Sequence, residues 1–152
     1  MSTLATIRAA IVAKLNAIPN IGQVHDYERF ARAEKDFRAL YETSGKILGW
    51  NVRRAQKIEH SPYMHRTMLT NSWQIRGFQG LDDAGRSEIA FDDLVEAIGD
   101  AFRDDITLGG VVETTIREDG TAAIQVEDSG PVMFCGVLCH SATLKLYTIH
   151  YL

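Results

Sequence analysis

The chain has 152 residues, 45% of them hydrophobic and 24% charged, with a net charge of −4. That length suits a single domain over 1–152, because two independent cores would each be marginal, and the composition excludes disordered and fibrous classes. No apolar run approaches the ~20 residues of a membrane span, and Met1-Ser2-Thr3-Leu4 lacks the basic region and apolar block of a secretory signal, so a cytosolic protein with no membrane partner is expected.

Leu4, Ile7, Ile11, Leu15 and Ile18 recur at helical spacing until Pro19-Asn20 and Gly22, which predicts a first amphipathic helix. Val24 to Tyr27 reads as a short strand. Phe30, Phe37, Leu40 and Tyr41 suggest a second helix within Glu28 to Glu42, ending before Ser44-Gly45. Alternation then takes over, with Leu48, Trp50, Val52 and Ile58 on one face and Arg54 and Gln56 interrupting it. After a break at Ser61-Pro62 the chain runs back through Leu69, Trp73, Ile75 and Phe78, giving two long antiparallel strands with basic residues near their connection. Gly77, Gly80 and Asp82-Asp83-Ala84-Gly85 are read as the following loop.

Phe91, Leu94, Val95, Ile98 and Phe102 mark the stripe of a third helix, with Ser87 as its expected N-cap. Asp104-Asp105 at its far end oppose the helix macrodipole and leave room for a partner bearing positive charge. Val112, Thr114 and Ile116 alternate, as do Ala122, Ile124 and Val126. Only a three-residue loop, Glu118-Asp119-Gly120 with Gly120 left-handed, puts both rows on one face, pairing Ile116 with Ala122 and Thr114 with Ile124. After Ser129-Gly130-Pro131 the even positions Val132, Phe134, Leu138, Ala142, Leu144 and Leu146 form one long row. The odd positions from Met133 to Cys139 are apolar too, so this half is expected to be covered on both faces. The order of elements predicts an α+β fold, a mixed, largely antiparallel sheet packed with two or three helices.

The chemical motifs are fragmentary. Gly45-Lys46 is followed by Ile47 where a phosphate-binding loop needs Ser or Thr. On a strand, Cys135 and Cys139 would stand about 13 Å apart at ~3.3 Å per residue, too far for a disulfide or one shared zinc ion. Both are expected to be reduced, buried and inert, with His140 a hydrogen-bonded core residue. His60 and His65 flank the Ser61-Pro62 break without a third ligand, and His25-Asp26 has no nucleophile to serve. No metal, no cofactor and no catalytic residue is therefore assigned.

Charge is segregated. Lys46, Arg53, Arg54, Lys57 and Arg66 face Glu59 alone between Lys46 and Arg66, whereas from Thr67 onward fourteen acids face five bases. Such segregation concerns partners more than fold. With Trp50 and Tyr63 interleaved, the basic strands could bind nucleic acid. They could equally form a protein interface, which Arg, Trp, Tyr and Met suit. The candidate interface residues are Arg53, Arg54, Lys57 and Arg66 on one side and Asp92, Asp93, Glu96 and Asp104 on the other.

Several segments together carry a resemblance: the first helix ending at Pro19-Asn20-Ile21-Gly22, Trp73-Gln74-Ile75-Arg76-Gly77, the helix Phe91-Asp92-Asp93-Leu94-Val95-Glu96-Ala97-Ile98, and the closing Gly136 to Leu146. In this order the chain resembles the tail-terminator or tail-completion proteins of long-tailed phages. The resemblance implies a structural subunit of a homo-oligomeric ring, six-fold in the family, that caps the tail tube protein and receives the head–tail connector protein. It implies a virion protein of the tail or neck assembled in the host cytoplasm, DNA that passes through without specific binding, and no catalytic residues. The charged segment Arg29 to Glu42 has no counterpart in the family pattern. The rival expectation is an adaptor module binding protein or nucleic acid through the basic 46–66 strands. A small enzyme using His25, His60 or Cys139 is a third.

Overall fold

The computed structural model describes residues 4–29, 31–43 and 45–152. Phe30, Ser44 and the Met1-Ser2-Thr3 start, which entered the sequence reading, lie outside the described residues. Helix α1 (Leu4–Asn16) buries Ile7, Ile11 and Leu15, the predicted stripe, and Asn20 takes a left-handed conformation just beyond it. Strand β1 (Gln23–His25) follows. Helix α2 (Glu34–Tyr41) is shorter than the predicted 28–42 segment, because Ala33 is extended and only Phe37 and Tyr41 of the helix are buried. A two-residue strand β2 (Glu42–Thr43) leads to the long strands β3 (Lys46–Tyr63) and β4 (Arg66–Gly80). Helix α3 (Ser87–Arg103) and strands β5 (Gln125–Phe134) and β6 (Val137–Tyr151) complete the fold.

The sheet order is β1-β3-β4-β6-β5, with β2 paired to β3 off this path. β1 runs parallel to β3 and the other pairings are antiparallel, so the fold is α+β with a mixed, mostly antiparallel sheet and three helices. Helices α1 and α3 cover one face, packing Ile11, Leu15, Phe91, Ile98 and Phe102 onto Trp50, Val52, Trp73, Ile75, Leu144 and Leu146. Helix α2 covers the other face, where Phe37 and Tyr41 meet Ile47, Phe78, Val137 and Cys139. The Met133–Cys139 stretch, expected to be covered on both faces, is covered on one: α2 packs on Phe134, Val137 and Cys139, while Met133 and Leu138 on the other face are exposed. Trp50 lies over Gly77, its register partner, and a Cβ there would run into the indole ring. Its Nε1–H donates to the Ile21 carbonyl at 2.8 Å, so this buried polar group is satisfied.

Several sequence expectations are corrected. A β-bulge between Arg54 and Gln56 adds one residue, so Ile58 faces away from Trp50 and Val52 and is 44% exposed. The β3–β4 turn is Met64–His65, with His65 at φ 69, two residues beyond the Ser61-Pro62 break. Pro62 is accommodated because β3 is an edge strand there. Gly77 and Gly80 belong to β4. Ser87 does not cap α3, since Arg86 occupies the cap position at φ 58 without a side-chain bond.

The row from Val132 to Leu146 is broken by a tight turn at Cys135–Gly136, φ 52 and 79, the double positive φ of a primed hairpin turn. Val132 and Phe134 therefore pair with Cys139 and Val137 and pack on the α2 side, opposite Leu144 and Leu146. The predicted 112–126 hairpin is absent as a ladder. Its turn exists, with Arg117 N–H donating to the Thr121 carbonyl at 2.8 Å and Gly120 at φ 90. The arms go elsewhere: Thr114 bridges to Ile149 on β6, and the second arm begins β5 only at Gln125.

Candidate assembly surfaces

Three of the basic candidates, Arg53, Arg54 and Lys57, stand on the outer half of β3, where β1 covers only residues 49–51 and β4 is the one remaining sheet neighbour among the described residues; Arg66 opens β4. Adjacent strand residues diverge, so Arg53 and Arg54 point to opposite faces. Arg53 is engaged within the chain, its Nε–H donating to Gln74 Oε1 at 2.7 Å with Glu28 Oε2 at 3.5 Å. Arg54 is half-buried and has no hydrogen-bond or ion-pair partner among the described residues. The bulge returns Lys57 to the Arg54 face, with its ammonium 2.8 Å from Glu59. Arg66 lies over the Tyr151 ring at 3.9 Å. Trp50, which the sequence interleaves with these bases, is fully buried and takes no part in the surface.

The acidic candidates occupy α3. Asp92, Asp93 and Glu96 are exposed on neighbouring turns. Asp104 stands at the far end, roughly 18 Å along the axis from Asp92 at ~1.5 Å per residue. The positive charge anticipated there is supplied from within the chain to the adjacent residue: Lys14 of α1 reaches Asp105 Oδ2 at 3.0 Å. Asp105 Oδ1 also accepts the Gly109 N–H at 3.1 Å, and these contacts, the backbone bond first, hold its carboxyl below the usual carboxylate range.

A cleft of about 460 Å³ opens at the N-terminal end of α3, between that helix and β5–β6. Ser87 and His140 meet on its wall, Oγ to Nε2 at 2.7 Å. The Asp82 N–H donates to the same Oγ at 2.8 Å, leaving the hydroxyl proton free to go to Nε2. His140 stacks on Phe91, and Phe91 on Trp50. Ser87 is 5% exposed. The pair thus acts as a polar tie between α3 and β6, joining residues 53 apart in sequence, which is why sequence reasoning found His140 but not its partner.

A second cavity, about 200 Å³, lies on the helix side of the sheet beside Arg54 and Lys57. Asn71 is fully buried there, neither of its side-chain atoms hydrogen-bonded among the described residues, and buried His150 leaves Nδ1 unpaired among them, burial pushing its pKa down. Asn71 stands in the alternating row of Leu69, Trp73 and Ile75 and His150 in that of Leu144 and Leu146, so their positions, and not their residue types, mark them as buried.

Of the other fragments, Cys135 sits in the turn, not in a strand as expected, and its Sγ–H donates to the Ala31 carbonyl at 3.2 Å. Cys139 is fully buried on the α2 side, its thiol pushed up to about 11 by burial, and both cysteines are free. His25 donates from Nε2 to the Leu40 carbonyl at 2.6 Å and packs edge-on to Tyr41. Among the described residues, no three His, Cys, Asp or Glu side chains stand together as a metal site. Among the described residues no helix is long and apolar enough to cross a membrane. No protein-family model matches this chain, and none of the curated proteins matches it in sequence.

Proposed function

We propose that the chain is a structural ring subunit of the tail-terminator kind, which caps a phage tail tube and joins it to the head connector without a catalytic step. One observation supports this reading above the others. The chain carries basic groups on β3 (Arg54, Lys57) and acidic ones on α3 (Asp92, Asp93, Glu96), on different elements of one sheet-based scaffold. Closed rings are built from heterologous contacts, in which one patch of each copy meets a different patch on the next. Opposed charges steer and register such docking, while affinity comes from buried apolar groups.

The test is light scattering across a concentration series together with electron microscopy. Wild type is expected to move toward closed oligomers more readily than Arg54→Glu with Lys57→Glu, both equally folded. Arg53 is left intact because it serves Gln74 and Glu28. A protein that stays monomeric when concentrated and on exposed tail tubes would remove the reading.

One observation favours the adaptor alternative: the β3 edge beyond residue 51 has no strand on its outer side among the described residues. A partner segment could add there as a further strand. DNA binding that falls steeply with salt would instead assign the basic surface to nucleic acid.

A further inference from the structure

Six of the eleven large exposed apolar residues among the described residues fall into two groups. Tyr63 and Met64 form the tip of the β3–β4 hairpin and are 71% and 86% exposed. Leu81, Ile89, Met133 and Leu138, 38–62% exposed, gather around the cleft at the start of α3. Their grouping follows from the register. Leu81 N–H donates to the Leu138 carbonyl, Leu138 pairs with Met133, and Ile89 lies in the first turn of α3 above Pro131 and His140. Exposed apolar groups collected in this way mark contact sites, whereas single ones do not.

The charges around the two groups are opposite. Asp83, Glu88 and Asp92 rim the cleft against Arg86 alone. The hairpin end carries Arg66, with its one acid, Glu59, already held by Lys57. The two sites also stand at opposite ends of the molecule. Strand β4 runs from Arg66 beside the tip to Gly80 beside the cleft, and its 15 residues span roughly 45 Å at ~3.3 Å each. A copy cannot fill its own cleft.

We propose that the hairpin tip of one copy, led by Tyr63 and Met64, docks into the α3 cleft of the next copy. The occupant is a second copy of this chain because each site supplies what the other lacks in charge and shape. Tip against tip would oppose Arg66 to itself, and cleft against cleft would oppose Asp83, Glu88 and Asp92. Only the head-to-tail arrangement pairs unlike charges, and it is heterologous by construction, closing into a ring or continuing as a filament according to the rotation per contact. The closed form rests on the ring reading above; the contact itself does not.

The experiment uses two full-length variants, Met64→Cys and Ile89→Cys, each with Cys135→Ser; Cys139 is fully buried. They are mixed, treated with a short bis-maleimide, and the linked peptides identified by mass spectrometry. A 64-to-89 link between copies is expected, and Tyr63→Ser with Met64→Ser should raise the concentration needed for assembly at least tenfold. Only 64-to-64 or 89-to-89 links would overturn the proposal, as would monomer at every concentration with no links. Closed rings without the 64-to-89 link would remove this contact and leave the ring reading standing. The link formed in open chains, with no closed rings, would do the reverse.

Discussion

Asn71 shows how much a single position depends on its surroundings. It is fully buried beside His150, and neither its amide oxygen nor its nitrogen has a partner among the described residues. An unpaired buried polar group costs about 1–3 kcal/mol, and an apolar replacement of similar shape escapes that cost. Asn71→Leu is therefore expected to raise the urea midpoint, and a loss of stability would show that the amide serves a partner. Gly120 is the opposite case, since its role was legible locally. At φ 90 with open space where a Cβ would stand, Gly120→Ala meets only the left-handed penalty of about 1–2 kcal/mol. Asp119→Ala forfeits one exposed bond to the Thr121 N–H and is expected to lose less. Equal losses in chemical denaturation would contradict this account of the turn.

Among the elements, the helices were the most legible and the strand pairings the least. Helices α1 and α3 bury the stripes their spacing predicts, because helical periodicity is a local property. Strand faces depend on every inserted residue between them. One bulge at Ala55 and one turn at Cys135–Gly136 reverse the rows that Ile58, Val132 and Phe134 were read into. Gly136 was a visible turn signal, but a cysteine at φ 52 before it was not. The 112–126 rows alternate as strands do, yet Thr114 takes β6 as its partner beyond the start of β5.

The contact between α1 and the segment after α3 carries its own prediction. Asp105 is held below the usual carboxylate range by the Gly109 N–H and then by Lys14. A depressed folded-state value contributes stability above the ordinary carboxylate value, and that stability is lost as pH falls through the depressed one. Asp105→Asn is expected to be less stable than wild type at about pH 7, with the gap closing at about pH 2. A gap of equal size at both would assign the effect to packing.

For the whole molecule, the prediction concerns the bore of the proposed ring. In that reading DNA slides through the bore, and one lined with bases would hold phosphates by counterion release. The lumen is therefore expected to be lined by acids of the C-terminal half, with Arg53, Arg54 and Lys57 turned away from it. A ring reconstruction with those three bases facing the lumen would sink the idea. The structure adds a constraint that the charge count did not contain. Arg53 is satisfied on the α2 side, whereas Arg54 and Lys57 share the α1–α3 side. The basic surface is thus narrower than the run of bases in the sequence.

By itself the sequence determined the α+β class, the two long helix stripes, the paired long strands and the segregation of charge, all carried by local spacing and composition. Only the tertiary structure decided which faces the strands present, which bases are free, and where exposed apolar groups collect. Those outcomes depend on register shifts of one residue and on contacts such as Ser87 with His140, between residues 53 apart, which no local pattern encodes. The cleft at the start of α3 exists only because β4, β5, β6 and α3 end together there, and its apolar rim comes from three separate stretches of chain.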